Sequence, residues 1–244
     1  MFYIIGIGLK PKQISFEAIE TITKCKEIYI DNYTNIFSKG NIKDLEKIIN
    51  KKIIPLNRKE LEQEQKFIKK KNCLLVIGNA LSATTHFSII KDAEKKNIKT
   101  KIITGISIFN YRGACGLYEY KFGKTVSIVY PLKNFNPKSF YETILENIKI
   151  GAHTLCLLDI KVDENKFMTC KEACEILEQI DEKKILKEKE CVAYFSMGSN
   201  KEEIIKFKFK EYKEIKTIKK YPQSLIICGN LNEFEKGAIN EHRT

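Results

Sequence analysis

The sequence predicts an α/β protein built from two α/β domains. Three observations carry this expectation. Apolar runs suited to buried strands alternate with segments of helical period along the whole chain. The strand-like runs of the first half, such as "FYIIGIG" and "CLLVIG", are continuously apolar, which argues for a parallel sheet covered on both faces. At 244 residues the chain exceeds the usual single domain, and its rhythm changes after Gly105, so the expected domains are 1–110 and 111–244.

The elements follow in order. "FYIIGIG" is the first strand; no basic run precedes it and no small-residue cleavage site follows, so it does not read as a signal peptide. "SFEAIETITKC" sets Phe16, Ile19 and Ile22 on one helix face behind Ser15, a candidate N-cap. "EIYID" is a short strand, and "NIKDLEKII" repeats Ile42, Leu45, Ile48 and Ile49 at helical spacing. "KIIPL", "CLLVIG" and "TKIIT" are further strands, separated by a polar helix over "RKELEQEQKFIKKK" and a helix over "HFSIIKDAEKKN". "ISIFNYRGACGLYEYKFGK" shows no clear strand and suits a connection between domains. The second half then runs "TVSIVYP" (strand), "PKSFYETILENIK" (helix), "HTLCLLDIKV" (strand), "TCKEACEILEQI" (helix) and "CVAYFSMGS" (strand). "SLIICGN" (strand) and "NEFEKGAIN" (short helix) follow.

Composition excludes several classes. No apolar stretch approaches the ~18 residues of a membrane helix, so a soluble, cytoplasmic protein is expected, with no membrane partner. The eight cysteines form no Cys-x-x-Cys pair, and several stand inside apolar runs, as reduced thiols of a cytosolic protein do. Cys170 and Cys174 share a helix face, but none of the three histidines stands at ligand spacing from them, so no metal site is expected. The net charge of +12 suits acidic partners. Its lysines are nevertheless interleaved with Glu along the whole chain, as on solvated helix faces, and no aromatic-basic interleaving points to sequence-specific nucleic-acid binding.

In open α/β sheets, ligands collect at the C-terminal ends of strands. Three such ends here are built from small residues: Gly6-Ile7-Gly8-Leu9, Gly78 to Thr85, and Thr104-Gly105-Ile106-Ser107. The first is no dinucleotide fingerprint, because Lys10-Pro11 stands where a third Gly and a helix belong. The second lacks the Gly-Lys-Ser/Thr of a phosphate loop. Nucleotide-sized loops without phosphate machinery suit a ligand carrying adenosine but no phosphate. S-adenosylmethionine is one such ligand, although composition and spacing do not single it out. No Gly-x-Ser-x-Gly elbow and no paired acids for proton transfer are evident, so no catalytic side chain is assigned. Methyl transfer from a sulfonium needs neither, since the leaving group is already activated and the protein has mainly to align donor and acceptor.

Longer blocks carry a resemblance: "YIIGIGL" (3–9), "ATTH" (83–86), "SI" (107–108), "GLYEYKFGKTVSIVYP" (116–131), "HTLCLLDIKV" (153–162), "MT" with "EA" (168–173) and "QSLIICGNL" (223–231). By these the chain resembles the diphthine synthases, a branch of the tetrapyrrole methylases, from end to end, and its central blocks are closest to the eukaryotic members. The resemblance implies two α/β domains, with a parallel sheet in the first, a mixed sheet in the second, and the cofactor in the cleft between them. It implies S-adenosylmethionine as cofactor, S-adenosylhomocysteine as product, and usually a homodimer. It implies methylation of the modified histidine of translation elongation factor 2 in diphthamide synthesis. In the eukaryotic branch three methyls go to an amino nitrogen and a fourth forms a methyl ester.

Carried over position by position, the cofactor contacts fall on Leu9, Asn79, Ser82, Ser107, Ile108, Leu158, Met197 and Gln223. Leu9, Ser107, Ile108 and Leu158 match the family's residue types. Where the family reads Gly-Asp-Pro this chain has Gly78-Asn79-Ala80, and where it usually has His this chain has Gln223. Loss of a charge-assisted bond at Asn79 is expected to weaken binding by roughly 1–2 kcal/mol if the family's acid faces a cationic group. Ala80 gives up the fixed backbone angle of proline. Apart from the resemblance, Leu9, Ile108, Leu158 and Met197 read as core, and Ser82 and Ser107 as turn residues. His86 reads as a helix-start or packing residue, Thr84 and Thr85 as caps of the same helix, and His153 as structural. Two other functions stand beside the leading one: a relative methylating a tetrapyrrole or RNA, and a non-catalytic module binding elongation factor 2 or the ribosome.

Overall fold

The computed structural model describes residues 1–83, 86–131, 137–215 and 218–242. The chain divides into two compact units. The first holds Met1–Asn110 with Lys161–Asn165 and Gly198–Asn200; the second holds Tyr111–Ile160, Lys166–Met197 and Lys201–Thr244.

The first unit contains β1 (Phe2–Gly6), α1 (Phe16–Thr23), β2 (Ile28–Asp31), α2 (Ile42–Ile49), β3 (Ile54–Leu56), β4 (Cys73–Val76), α3 (Phe87–Lys95) and β5 (Thr100–Ile103). Its sheet has the order β3-β2-β4-β1-β5, with every pairing parallel. Successive side chains of a strand point to opposite faces, which is why the apolar runs are continuous. Ile5, Ile7, Cys73 and Leu75 bury against Ala18, Ile22, Leu45 and Ile49 of α1 and α2. Phe2, Ile4, Leu74 and Val76 bury against Ile89, Ile90 and Ala93 of α3 together with Phe67 and Ile68. Ser15 caps α1 by accepting from the Ala18 amide (3.1 Å), and Asn41 with Asp44 forms a reciprocal box at the start of α2.

One expectation fails here. The polar helix over 58–71 is reduced to a single wide turn, Glu60–Glu64, ended by Gln65 in the left-handed region (φ 48°). Leu61 is followed three and four residues later by Glu64 and Gln65, so no apolar stripe holds a next turn against the sheet. The chain instead turns and buries Phe67 and Ile68.

The second unit contains β6 (Val126–Ile128), α4 (Ser139–Lys149), β7 (Thr154–Leu158), the first residue of β8 (Ile160–Lys161), β9 (Lys166–Phe167), α5 (Cys170–Ile180), β10 (Glu190–Phe195), β11 (Glu203–Lys208), β12 (Gln223–Ile227) and α6 (Glu233–Asn240). Its main sheet runs β11-β10-β12-β7-β6 and is mixed: β6 lies parallel to β7, and the other pairs are antiparallel. Cys156, Leu158, Cys191, Ala193, Phe195, Leu225 and Ile227 form one face, packed with Ile144 of α4 and Ala173, Cys174 and Leu177 of α5. All eight cysteines are buried and unpaired, and burial pushes the thiols of Cys156, Cys170, Cys174, Cys191 and Cys228 upward, so they act as small hydrophobes.

A buried charge fixes α6. Glu235 is fully buried; its carboxylate accepts from the Lys121 ammonium, the Tyr118 amide (3.1 Å), the Asn232 amide (3.1 Å) and Nε2 of His153 (3.0 Å). The Gly229 amide donates to Nδ1 of His153 (3.0 Å), so the ring is a neutral tautomer with its proton on Nε2. Burial alone would raise the Glu235 carboxyl, but these donors outweigh it and hold it at about 2. Burial lowers His153, partly offset by Glu235. Below a pH of about 6.5 the unfolded chain therefore binds a proton at His153 that the folded one refuses, and below about 4.5 the same holds at Glu235. Stability in denaturant titrations is expected to fall from neutral pH through the carboxylate range towards pH 2. Glu235→Gln should lose about 3–5 kcal/mol at neutral pH and flatten the acidic part of that profile.

Candidate functional site

Because all strands of the first sheet are parallel, the loops after β1, β4 and β5 leave it along one edge, and they leave in contact. The amide of Gly8 donates to the carbonyl of Gly78 (3.2 Å) and that of Gly78 to the carbonyl of Gly8 (2.9 Å). Gly8 (φ +83°) and Gly78 (φ +90°) hold the left-handed conformations this bridge requires. At Gly105 a Cβ would lie 2.4 Å from the Gly78 carbonyl oxygen and 2.5 Å from the Gly6 carbonyl carbon, so the third loop passes with no room for a side chain.

On this base the structure brings together five of the residues singled out in the sequence. Leu9 is buried; its amide donates to Oε1 of Gln13 (2.8 Å), and its carbonyl accepts from the Ser38 amide (2.9 Å) and hydroxyl (3.0 Å). Asn79 ties two loops: Oδ1 accepts from the Gly105 amide (3.2 Å) and Nδ2 donates to Oγ of Ser82 (2.8 Å). An amide N–H only donates, so Gly105 fixes which end of the Asn79 side chain is oxygen. Ser82 Oγ therefore accepts from Asn79, and its own proton points elsewhere. Ser107 is buried, exchanges bonds with Asn110 through its amide (2.9 Å) and carbonyl (3.0 Å), and its Cβ lies 3.7 Å from where a Cβ on Gly78 would stand. Its hydroxyl has no partner among the described residues. Ile108 follows, half-buried, and opens the 3₁₀ segment Ile108–Cys115.

Beneath this edge lies a pair that the sequence reading did not assemble. Asp31, at the end of β2, and His86, just before α3, are both buried, with Nε2 of His86 3.1 Å from Oδ2 of Asp31. Nδ1 of His86 lies 3.3 Å from the carbonyl oxygen of Ala80. Burial alone would raise the Asp31 carboxyl, but bonds from His86, the Thr34 hydroxyl and the Tyr33 amide outweigh it and hold it low. The available signal was an acid ending an otherwise buried strand, "IYID". Thr84 and Thr85 lie outside the described residues.

The other three residues belong to the second unit. The register Phe195↔Gln223 and Ser224↔Leu157 sets the end of β7, the start of β12 and the residues after β10 at one end of the mixed sheet, and so groups Leu158, Gln223 and Met197. All three are buried. The amide of Gln223 is engaged at both ends: Oε1 accepts from the Cys170 amide at the start of α5 (2.8 Å), and Nε2 donates to the Ile218 carbonyl (2.7 Å). Beside Leu158, Asp159 accepts from the Tyr130 amide (3.3 Å), and the Tyr130 hydroxyl donates to Glu172 (3.1 Å). Burial and Glu172 together raise the Tyr130 phenol. No cluster of three metal-ligating side chains occurs among the described residues.

The chain matches the family profile described as Tetrapyrrole (Corrin/Porphyrin) Methylases over residues 1–213. It is 37% identical over 244 aligned residues to a protein of Staphylothermus marinus named diphthine synthase, covering 96% of this chain and 91% of that one. It is 43% identical over 173 residues to the diphthine methyl ester synthase of Schizosaccharomyces pombe, covering 68% of this chain and 61% of the relative. A crystal structure of a diphthine synthase superposes with a TM-score of 0.87 and 28% identity, covering 100% of this chain and 96% of that one.

The crossing of the three glycine loops sets a test. Gly105→Ala should lower stability by about 3 kcal/mol or more, since the clash is with backbone that cannot yield. Gly237→Ala, on α6 with nothing within 4 Å of a Cβ, should raise it by about 0.5–1 kcal/mol. Urea midpoints of the two variants measure both.

Proposed function

We propose that this chain, which belongs to the tetrapyrrole (corrin/porphyrin) methylases, is an S-adenosylmethionine-dependent methyltransferase of diphthamide biosynthesis, acting on the modified histidine of elongation factor 2. The observation that carries the reading is end-to-end similarity to proteins named diphthine synthase. The same resemblance supports a cytoplasmic homodimer with elongation factor 2 as protein substrate.

The donor set fits such a cofactor. The edge formed by Gly8, Gly78, Asn79, Ser82, Gly105 and Ser107 offers main-chain groups and two hydroxyls, with no charged side chain among them. That suits adenosine without phosphate. When bound, S-adenosylmethionine supplies a methyl already activated on a sulfonium. In this reading Asn79 and Gln223 act as ties that shape the loops, because their amides are engaged within the protein. Polar contacts in the first unit then fall to the Ser82 and Ser107 hydroxyls and the main chain around Leu9 and Gly78. Leu9 and Ile108 in the first unit, and separately Leu158 and Met197 in the second, offer apolar groups of the kind that exclude water, which strengthens electrostatic contacts beside them. Water takes the proton lost from the acceptor amine, and no side chain is assigned to that step.

Intact-mass analysis of elongation factor 2 carrying the unmethylated precursor, incubated with this protein and S-adenosylmethionine, tests the reading. A gain of three or four methyl masses is expected, and the number separates an amine-only product from one that also carries the ester. No gain, while a known diphthine synthase works on the same substrate, overturns it. Asn79→Ala releases both Gly105 and Ser82 and should weaken cofactor binding about tenfold in calorimetry, the scale of one or two lost hydrogen bonds.

A further inference from the structure

We infer that Asp31 and His86 form a buried latch that positions the loop after β4 for the methyl donor; this rests on the cofactor reading above. Neither residue lies on the exposed rim, so both are positioning residues. The hydrogen-bond inventory carries the argument. Oδ1 of Asp31 accepts from the amides of Tyr33 (3.1 Å) and Thr34 (3.3 Å), and Oδ2 accepts from the Thr34 hydroxyl and lies 3.1 Å from Nε2 of His86. Four donors thus fill the four acceptor positions of an ionised carboxylate.

The ring nitrogens of His86 face two oxygens that only accept: this carboxylate and the carbonyl of Ala80. The ring therefore bridges the end of β2 to the loop after β4, and both of its contacts are buried. Its far end grips Ala80, which is fully buried and sits between Asn79 and the Leu81–Ser82 rim. Its near end is braced as well. Tyr33, whose amide binds Asp31, donates its hydroxyl to Glu62 (2.5 Å), and Nε of Arg58 donates to the other oxygen of Glu62 (3.1 Å). Asn79 ties the same loop to Gly105 on the opposite side. Ala80 packs in the apolar cluster with Ile89, Ile90 and Ala93, while on either side of it the loop depends on polar bonds, since Asn79 and Ser82 are half-buried and Leu81 is exposed.

A change at the latch should therefore move the loop before it unfolds the sheet. Asp31→Asn keeps the shape but sets a donor where only acceptors fit, and His86→Ala removes the grip on Ala80. For each variant, titration calorimetry with S-adenosylhomocysteine gives the affinity and the competent fraction, and methyl transfer to elongation factor 2 gives KM and kcat. The expected result is a dissociation constant and a KM for S-adenosylmethionine raised about tenfold, with kcat at saturating cofactor within about threefold of wild type. Hydrogen exchange should speed up at amides 78–83 while those of β1 and β4 keep their protection. A purely structural role gives a different pattern: a smaller competent fraction, unchanged affinity, and exchange accelerated across the sheet or nowhere. That pattern overturns the inference and leaves the methyltransferase reading standing. Wild-type protein that binds no S-adenosylhomocysteine and transfers no methyl overturns both.

Discussion

The constraint on which the first unit depends is the meeting of three loops at one edge of a parallel sheet, where backbone touches backbone. Gly6, Gly78 and Gly105 approach so closely that a Cβ on Gly6 would lie 2.7 Å from the Gly105 amide nitrogen and 2.8 Å from the Gly78 carbonyl oxygen. Parallel pairing delivers all the strand ends to the same side, and glycine lets them converge there. The consequence is a surface made largely of peptide groups in fixed directions. The side chains that decorate it, Asn79, Ser82 and Ser107, hang from a frame that leaves them little freedom.

Two of the three positions at which the resemblance implies a departure from the family's residue types share one property. Asn79 and Gln223 each place an amide where it accepts from a backbone N–H at one end and donates at the other, to a hydroxyl from Asn79 and to a carbonyl from Gln223. A neutral amide does both without bringing a charge into partly or fully buried surroundings, where an unpaired charge is costly. What the sequence shows as loss of an acid and a ring, the structure shows as two internal braces. The chemistry asked of the protein is compatible with this, because alignment and exclusion of water, rather than a charged catalyst, are its main requirements.

Most of the architecture could be read from the residues, because buried strands and amphipathic helices write their periods directly. Not all of it could: β9 was not expected, and two further misses have clear physical causes. The run "EIIKFK" of β11 alternates Ile205 and Phe207, which face the core, with Lys206 and Lys208, a period-two pattern hidden among the lysines around it. The polar stretch after Arg58 has helix-forming composition but no continuous apolar stripe, and the burial of Phe67 and Ile68 overrode local propensity. At the candidate site, the three small-residue loops stood out by composition, as did the helix-start position of His86. Its partner did not. Asp31 is 55 positions away in the chain, and only the register of β2 beside β4 brings the two together. Nor does a sequence show that an asparagine spends both ends of its amide on neighbours.

The Glu235 cluster also bears on the order in which the molecule takes shape. Its bonds reach back 117 residues to Tyr118 and 82 to His153. The sheet it stands beside has β12, Gln223–Ile227, as its middle strand. The first unit, by contrast, closes its sheet once β5 has been made, with only the short segments Lys161–Asn165 and Gly198–Asn200 still to join it. During synthesis the first sheet can therefore assemble while the second still lacks its centre, and chains fold domain by domain from the N-terminus as they emerge. Until β12 arrives, β7 and β10 have unpaired edges where β12 will lie, with Leu155, Cys156, Val192 and Ala193 exposed along them. Such surface is prone to pair with other chains, so the same middle strand that completes the second sheet also closes the two edges on which the unfinished chain is most open to mispairing.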